Sequence, residues 1–477
     1  MRKIQKLCQW FPEAKRVEWA NDQLADADWP DKRNGNRARQ VLHDLAARPD
    51  CHLTVVSAEP AKAKGAYRLL ENSRVTAEHL WSPIFGCTGR KLPENGRIVV
   101  VQDTTPLVLE NREATEGLGT AQRPRQEALW MHWALAVSPR GHLYGAIHSH
   151  LWARPLEEFG KRKSCARRPF QQKESYKWVA CGQELHRRPE LAGRRLLHVG
   201  DRESDVFEVV QELLLEVKDD AVIRCSHPER LLTDRRQLCE ALQEQPVLQE
   251  RTLAIPRRGR RKARDARVTI RSASLTLAPP ANSTNKGLVP QPINVVWVHE
   301  PMPPQGAERL DWMLLTNLPV DTPEQCWEVV ALYKLRWLIE EVHLVLKHGL
   351  NIQQTQLKSA DRIEKLLAFC VAVAVFIVQL KQWSRLEPDA PCTVVLSDEQ
   401  WRVLYMYREH EPYPADRPPP TIGEVIRWIG QLGGHLGRKS DGMPGVRTLW
   451  QGWCHLDFLV LGYLVAQRQA ANEKANA

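Results

Sequence analysis

The 477-residue chain has 11 cysteines but no Cys-x-x-Cys pair and no regular cysteine spacing. That argues against a zinc site or a paired-thiol redox motif. It leaves the cysteines as small core residues of a protein kept in a reducing compartment, and the cytoplasm is the expected location. No apolar run follows Met1, so no secretory leader is expected. The longest apolar run, residues 366–380, is shorter than the roughly 20 residues that span a bilayer and is closely flanked by charge, so it reads as a buried helix. No internal repeat is visible. Acidic residues are in deficit: 57 Asp and Glu stand against 67 Lys and Arg, for a net charge of +10. A basic surplus favours a polyanionic partner, most often nucleic acid. The length suggests roughly three structural units.

Residues 1–75 read as a small helical unit. Asn34-Gly35 signals a turn, after which Asn36 can cap a helix over 37–46 with Arg37 and Arg39 in its first turn. Cations there oppose the helix dipole, a conflict that a bound phosphate would remove. A second helix over 61–71 carries Lys62, Lys64, Tyr67 and Arg68. These residues alone fit an ordinary exposed basic pair as well as a DNA-binding one. From 76 to 228 strands and helices alternate. Strands are expected at 97–102, 129–137, 142–150, 196–199 and 221–224, with helices at 174–185 and 205–217. Pro139-Arg140-Gly141 marks a hairpin. This order gives the expected fold class: α/β, a ribonuclease-H-like mixed sheet core. Residues 229–315 read as a β-rich insertion, with short runs at 267–275, 293–298 and 312–316. It holds the basic tract 257–262, Arg260 and Arg261 included, whose mutual repulsion a polyanion would relieve. The core resumes over 316–385. A helical C-terminal region follows over 386–477, with helices at 397–408, 422–436 and 446–469.

The stretch 322–349, TPEQCWEVVALYKLRWLIEEVHLVLKHG, reads as one long helix. Thr322 is a good N-cap, Pro323 suits the first position, Gln325 completes a capping box and Gly349 is a plausible stop. With Tyr333 set at zero and 100° per residue, Arg336 falls near about 300°, Glu340 near about 340° and Lys347 near about 320°. Leu335, Leu338, Ile339, Val342, Val345 and Leu346 occupy the opposite arc. One face is therefore buried, and the other presents a phenol, a guanidinium, a carboxylate and an ammonium. Glu341 lies away from that face, which selects Glu340.

Two further carboxylates stand out. Asp103 and Asp201 each fall just past the end of an expected buried strand, where ligands collect in open α/β sheets. Asp103, Asp201 and Glu340 form an all-oxygen donor set, suited to Mg²⁺ or Mn²⁺ and not to zinc. Two such ions could activate a water or a 3′-hydroxyl on one side of a phosphodiester and stabilise the leaving oxygen on the other.

Asp103 in VVVQDTT, Asp201 in HVGDRESD and the spacing Tyr333-x-x-Arg336-x-x-x-Glu340-x-x-x-x-x-x-Lys347 resemble the DDE transposases of bacterial insertion sequences, specifically the insertion sequence four family. Shorter segments are similar in order along nearly the whole chain: GAYR at 65–68, IRCSHPER at 223–230, WMLLT at 312–316 and LWQGW at 449–453. The resemblance implies a Mg²⁺-dependent cut-and-paste transposase in which Asp103, Asp201 and Glu340 are catalytic and hold two metal ions. It implies that Tyr333, Arg336 and Lys347 contact phosphates near the transposon end and that Trp312 stacks with a flipped base. Arg39 and Arg68 are carried over to DNA contact in the N-terminal unit. The implied partners are double-stranded DNA and a second copy of the chain, pairing through the last helix. Two other readings compete: a ribonuclease-H-like nuclease that cuts without strand transfer, and a catalytically silent DNA-binding relative.

Overall fold

The structure, a computed structural model, describes residues 16–476 apart from 50–51, 58, 110–113, 122–125, 159–167, 256–262, 284 and 439–440. Five helices open the described chain: α1 (Arg16–Gln23), α2 (Lys32–Ala47), α3 (Leu53–Val56), α4 (Pro60–Glu71) and α5 (Glu78–Lys91). Helix α2 starts earlier than its sequence suggests. Asp31 is the N-cap, its carboxylate accepting from the Arg33 N–H, so Asn34-Gly35 lies inside the helix and not in a turn. Gly35 is there for space: a Cβ at this position would sit 2.8 Å from Cδ1 of Trp29. Arg37 and Arg39 consequently fall in the second turn, and Lys32 and Arg33 take the first.

The strands of the described residues form one ten-stranded mixed sheet. β1 (Ile98–Val108), β3 (Glu127–Val137) and β4 (Leu143–Trp152) are antiparallel, with the two-residue β2 (Gly119–Thr120) on the outer side of β3. β5 (Leu196–Gly200) pairs parallel to β1, and β6 (Asp220–Arg224) parallel to β5. Helices α6 (Lys177–His186) and α7 (Phe207–Gln211) alternate with these strands. This is the expected ribonuclease-H-like order. The inserted β-rich stretch continues the same sheet: β10 (Asp311–Thr316) pairs antiparallel with β6, followed outward by β9 (Gln291–His299), β8 (Arg264–Leu277) and β7 (Gln249–Ile255). Arg260 and Arg261 lie outside the described residues. A short helix α8 (Leu238–Gln243) precedes β7.

The chain then becomes helical: α9 (Pro323–Lys334), α10 (Trp337–Leu344), α11 (Ala360–Leu386), α12 (Asp398–Glu409), α13 (Ile422–Leu432) and α14 (Val446–Asn476). α11 has the length and composition of a membrane span, but 94% of its most apolar window is buried inside the protein. It is the core helix, packed against β4, α10 and the helices of both ends of the chain. Val99, Val101, Trp133 and Leu135 from one sheet face share a hydrophobic cluster with α11, with Leu42 and Leu45 of α2 and with Trp453 of α14. Lys365 of α11 is buried and reaches back 3.3 Å to the carbonyls of Leu70 and Asn72, the negative end of α4. Of the eight described cysteines all are free and six are buried, as expected of core residues.

Candidate active site

Thr322 caps α9 as its sequence predicts: its side chain accepts from the Gln325 N–H, Gln325 closes the capping box, and Pro323 takes the first position. The expected single helix, however, is stepped. At Leu335 and Arg336 the backbone bonds tighten to the third residue back, as in Arg336 N–H to Tyr333 O at 3.1 Å and Leu338 N–H to Leu335 O at 3.0 Å. Beyond α10 the turn widens into a π-helix, Val345–Gly349, with Leu350 N–H to Val345 O at 2.8 Å. Tightening advances the residues that follow and widening retards them, so the two distortions offset each other. Gly349 is not the stop. It packs beneath Trp450, and the left-handed residue is Asn351, at φ 52°.

The result is a row of side chains along β1. The Arg336 guanidinium bonds Glu340 one turn away and lies 3.8 Å from Asp103 Oδ2. His343 Nδ1 is also 3.8 Å from Asp103 Oδ2, while its Nε2 accepts from the indole N–H of buried Trp133 at 2.7 Å. Lys347 donates to the Thr105 hydroxyl at 2.6 Å. Asp103 is not past its strand, as its sequence suggests, but within β1. The parallel pairing of β1 with β5 ends at Val101 and Val199, so Asp103 stands where the two strands part. Two residues further along, the same register brings Asp103 opposite Asp201, one residue past β5.

Asp201 caps a short turn, Arg202–Ser204, by accepting the Glu203 N–H at 2.8 Å. Gly200 before it permits the turn, because a Cβ there would collide with Ser204. The neighbouring acids are committed elsewhere. Asp205 is buried, bonding the N–H groups of Ser226 and His227 at 2.6 and 3.2 Å and Arg230 at 2.6 Å. Glu341 is ion-paired to Lys381 of α11. Geometry thus separates Asp201 from Asp205 and Glu340 from Glu341.

The electrostatics are those of crowded acids. Burial, and then the charge of Asp201, push Asp103 up to about 7 against the pull of Arg336 and the Thr104 N–H. Burial, then Lys347 and Arg336, hold His343 down to about 3, so it is neutral. Burial also lowers Lys347, with Asp103 acting in the opposite sense. Among the described residues no group of three or more His, Cys, Asp or Glu is closed tightly enough to grip a metal ion as it stands. Arg336 instead serves Glu340 and Asp103 together. The donor set nevertheless suits a hard divalent cation: Asp103 on β1, Asp201 just past β5 with its charge raising the proton affinity of Asp103, and Glu340 on α10.

Tyr333 is 4% exposed and does not share the open face. Its ring meets that of Trp312 edge-on at 5.6 Å, and the Arg336 guanidinium lies 6.0 Å from its centre. Trp312 is half-buried on β10. Arg68 is exposed on α4, and Arg39 is half-buried on α2, 3.5 Å from Asn36 Oδ1. Gly65 of α4 lets Arg37 of α2 lie across it, 3.1 Å from where a Cβ would stand. His343 is the residue that sequence reasoning passes over. On the same wheel it falls near about 280°, beside the chosen arc, so its signal was available.

Two family models match the ends of the chain. Residues 16–75, from α1 to just beyond α4, match the transposase DNA-binding family. Residues 372–472, from within α11 to within α14, match the transposase Tn5 dimerisation domain. Asp103, Asp201 and Glu340 lie between the two matched segments. Together the matches support a Tn5-like DNA transposase, with DNA and a second copy of the chain as its partners.

Proposed function

We propose that the chain is a cut-and-paste DNA transposase of the insertion sequence four type, acting in the cytoplasm on the inverted repeats at transposon ends. The observation that carries this reading is the approach of Asp103, Asp201 and Glu340 to one another where the central strands β1 and β5 part, between a DNA-binding and a dimerisation segment. These three carboxylates would hold two Mg²⁺ ions, with Mn²⁺ as a substitute. Such ions supply Lewis-acid stabilisation of the attacked phosphate and a low-pKa water. Arg336 and Lys347, beside the acids, bind and orient the scissile phosphate by charge-assisted hydrogen bonds. Trp312, half-buried on β10, would stack with a flipped base, and the buried Tyr333 ring backs it by edge-on contact rather than meeting the base itself.

In the first step a water oxygen bonds to phosphorus and the P–O3′ bond breaks, freeing a 3′-hydroxyl at the transposon end. That hydroxyl attacks the opposite strand, closing a hairpin and releasing flanking DNA. Hydrolysis reopens the hairpin, and the same 3′-hydroxyl joins target DNA. Each step exchanges one phosphodiester bond for another or for water, so no covalent protein intermediate is needed.

The test is incubation of the protein with Mg²⁺ and a labelled duplex carrying the inverted repeat that flanks its gene. Nicked, hairpin and joined products are expected. Asp103→Asn, Asp201→Asn and Glu340→Gln should each abolish cleavage and leave end binding intact. Nicking without hairpin or joined product would favour a simple nuclease, and normal cutting by all three variants would remove the metal reading.

A further inference from the structure

Behind the acidic face, on the other side of β1, a chain of buried polar groups crosses the sheet. The Thr104 hydroxyl lies 3.0 Å from His132 Nδ1. His132 Nε2 lies 3.0 Å from Gln102 Oε1, and Gln102 Nε2 lies 2.7 Å from His198 Nδ1. His198 Nε2 lies 2.8 Å from Asp219 Oδ2, which His186 Nε2 also meets at 2.9 Å. Asp219 Oδ1 accepts the Leu196 N–H at 2.9 Å. Gln102, His132, His198 and Asp219 are all 2% exposed or less. The chain ties β3 to β1, β1 to β5, and β5 to the start of β6.

The donors have one consistent direction. Burial works against the Asp219 charge, but its bonds from His198, Leu196 and His186 outweigh this and hold it below the usual carboxylate value. It is therefore an acceptor, and His198 carries its proton on Nε2. The Gln102 amide N–H then donates to His198 Nδ1, and its oxygen accepts from His132 Nε2. Burial, followed by Lys177 and neighbouring histidines, drives His132 well below its ordinary pKa, so Nδ1 accepts from Thr104. Every bond from Thr104 to Asp219 points the same way, and such bonds reinforce one another.

Apolar residues of similar size would hold these strands together at least as firmly. What directional polar links add is a single register, since a one-residue slip would break all of them. Gln102 and Thr104 flank Asp103 and face away from it. The Thr104 N–H donates to Asp103 Oδ1 at 2.8 Å. His198 stands three residues before Asp201 on β5.

We propose that Thr104, Gln102, His132 and His198 are positioning residues: through the Thr104 N–H they fix the orientation of the Asp103 carboxylate, and through the Gln102–His198 link they set β1 against β5 so that Asp103 and Asp201 stand opposite. The inference rests on the proposed transposase chemistry. Thr104→Val keeps volume and β-branching and removes only the last link. Gln102→Met breaks the chain at its centre. Gln102→Glu keeps both links, accepting from His132 Nε2 and from a protonated His198. Single-turnover nicking of the labelled inverted-repeat duplex in Mg²⁺ should fall by a factor of about 10–100 in Thr104→Val and Gln102→Met, with end affinity unchanged. Gln102→Glu should recover most of the rate. Wild-type nicking by folded Thr104→Val and Gln102→Met, or a Glu variant as slow as the Met variant, overturns the proposal. If Gln102→Met does not fold, Thr104→Val decides alone. If Asp103→Asn nicks normally, it is the underlying chemistry that fails.

Discussion

Asp103 has its proton affinity raised by where it stands, inside a strand and opposite Asp201, and that has a measurable consequence. A carboxyl whose folded pKa is about 7, against an ordinary value of 3.8, binds more protons in the folded state than in the unfolded. Its contribution is favourable below the ordinary value and is lost as pH rises through the folded value. Without divalent cations, Asp103→Asn should therefore raise the melting temperature at pH 8, by no more than the equivalent of about 4 kcal/mol. It should change little at pH 4, and scanning fluorimetry across that range checks both. Mn²⁺ should narrow the gap at pH 8 by stabilising the wild type alone. At this scale much was legible. The preference for Glu340 over Glu341 follows from helical period, which turns Glu341 away from the face of Arg336 and Lys347; that Glu341 meets a cation from α11 was not legible, because Lys381 is distant in sequence. Asp201 over Asp205 was legible only from strand ends; the bonds that commit Asp205 come from Ser226, His227 and Arg230, distant in sequence. The burial of Tyr333 was not legible, since it depends on the tightened step after it and on Trp312 from another strand.

The helix that carries Glu340 is held in place by one ion pair from its other side. Lys381 of α11 bonds Glu341 of α10, both are largely buried, and the second Glu341 oxygen has no hydrogen-bond partner. Removing one member of such a pair leaves an uncompensated buried charge, whereas removing both need not destabilise. Lys381→Met should cost about 3–5 kcal/mol in urea unfolding, and the double variant Lys381→Met/Glu341→Leu should recover most of that. A small loss in the single variant would show that water reaches Glu341. The capping box at Thr322, the Pro323 start and the hairpin between β3 and β4 were readable, because each is written in neighbouring residues. The stepped course of α9 and α10 was not. A 3₁₀ step and a π turn leave no period of their own and are imposed by packing on β1. Gly35 misled for a related reason: it serves contact with Trp29, and contact is not written in local sequence.

Across the whole molecule, the N-terminal helices, one sheet face and the C-terminal helices share a single hydrophobic cluster, with α11 at its centre. Trp453 of α14 donates to the Ala46 carbonyl of α2 at 2.8 Å, so the two segments with family matches meet directly. The far side of α14 is left uncovered. Phe458, Leu461 and Val465, spaced by three and four residues, are 58%, 40% and 62% exposed. An apolar stripe of helical spacing on one exposed face is the pattern of an association surface. It lies inside the segment that matches the dimerisation family, which argues for a second copy of this chain as its occupant. Phe458 also contacts Arg48 of α2, so the cleaner test uses the two outer positions. Leu461→Glu/Val465→Glu should leave binding of a single labelled end unchanged, because α4 and its exposed Arg68 are untouched. The slower-migrating complex that holds two ends should be lost, together with the two-chain mass in light scattering with end DNA. Charge at an apolar contact opposes itself across a two-fold axis, so the effect should be largest at low salt and weaken as ionic strength rises. A paired complex as stable as the wild type would place the dimer contact elsewhere on the matched segment.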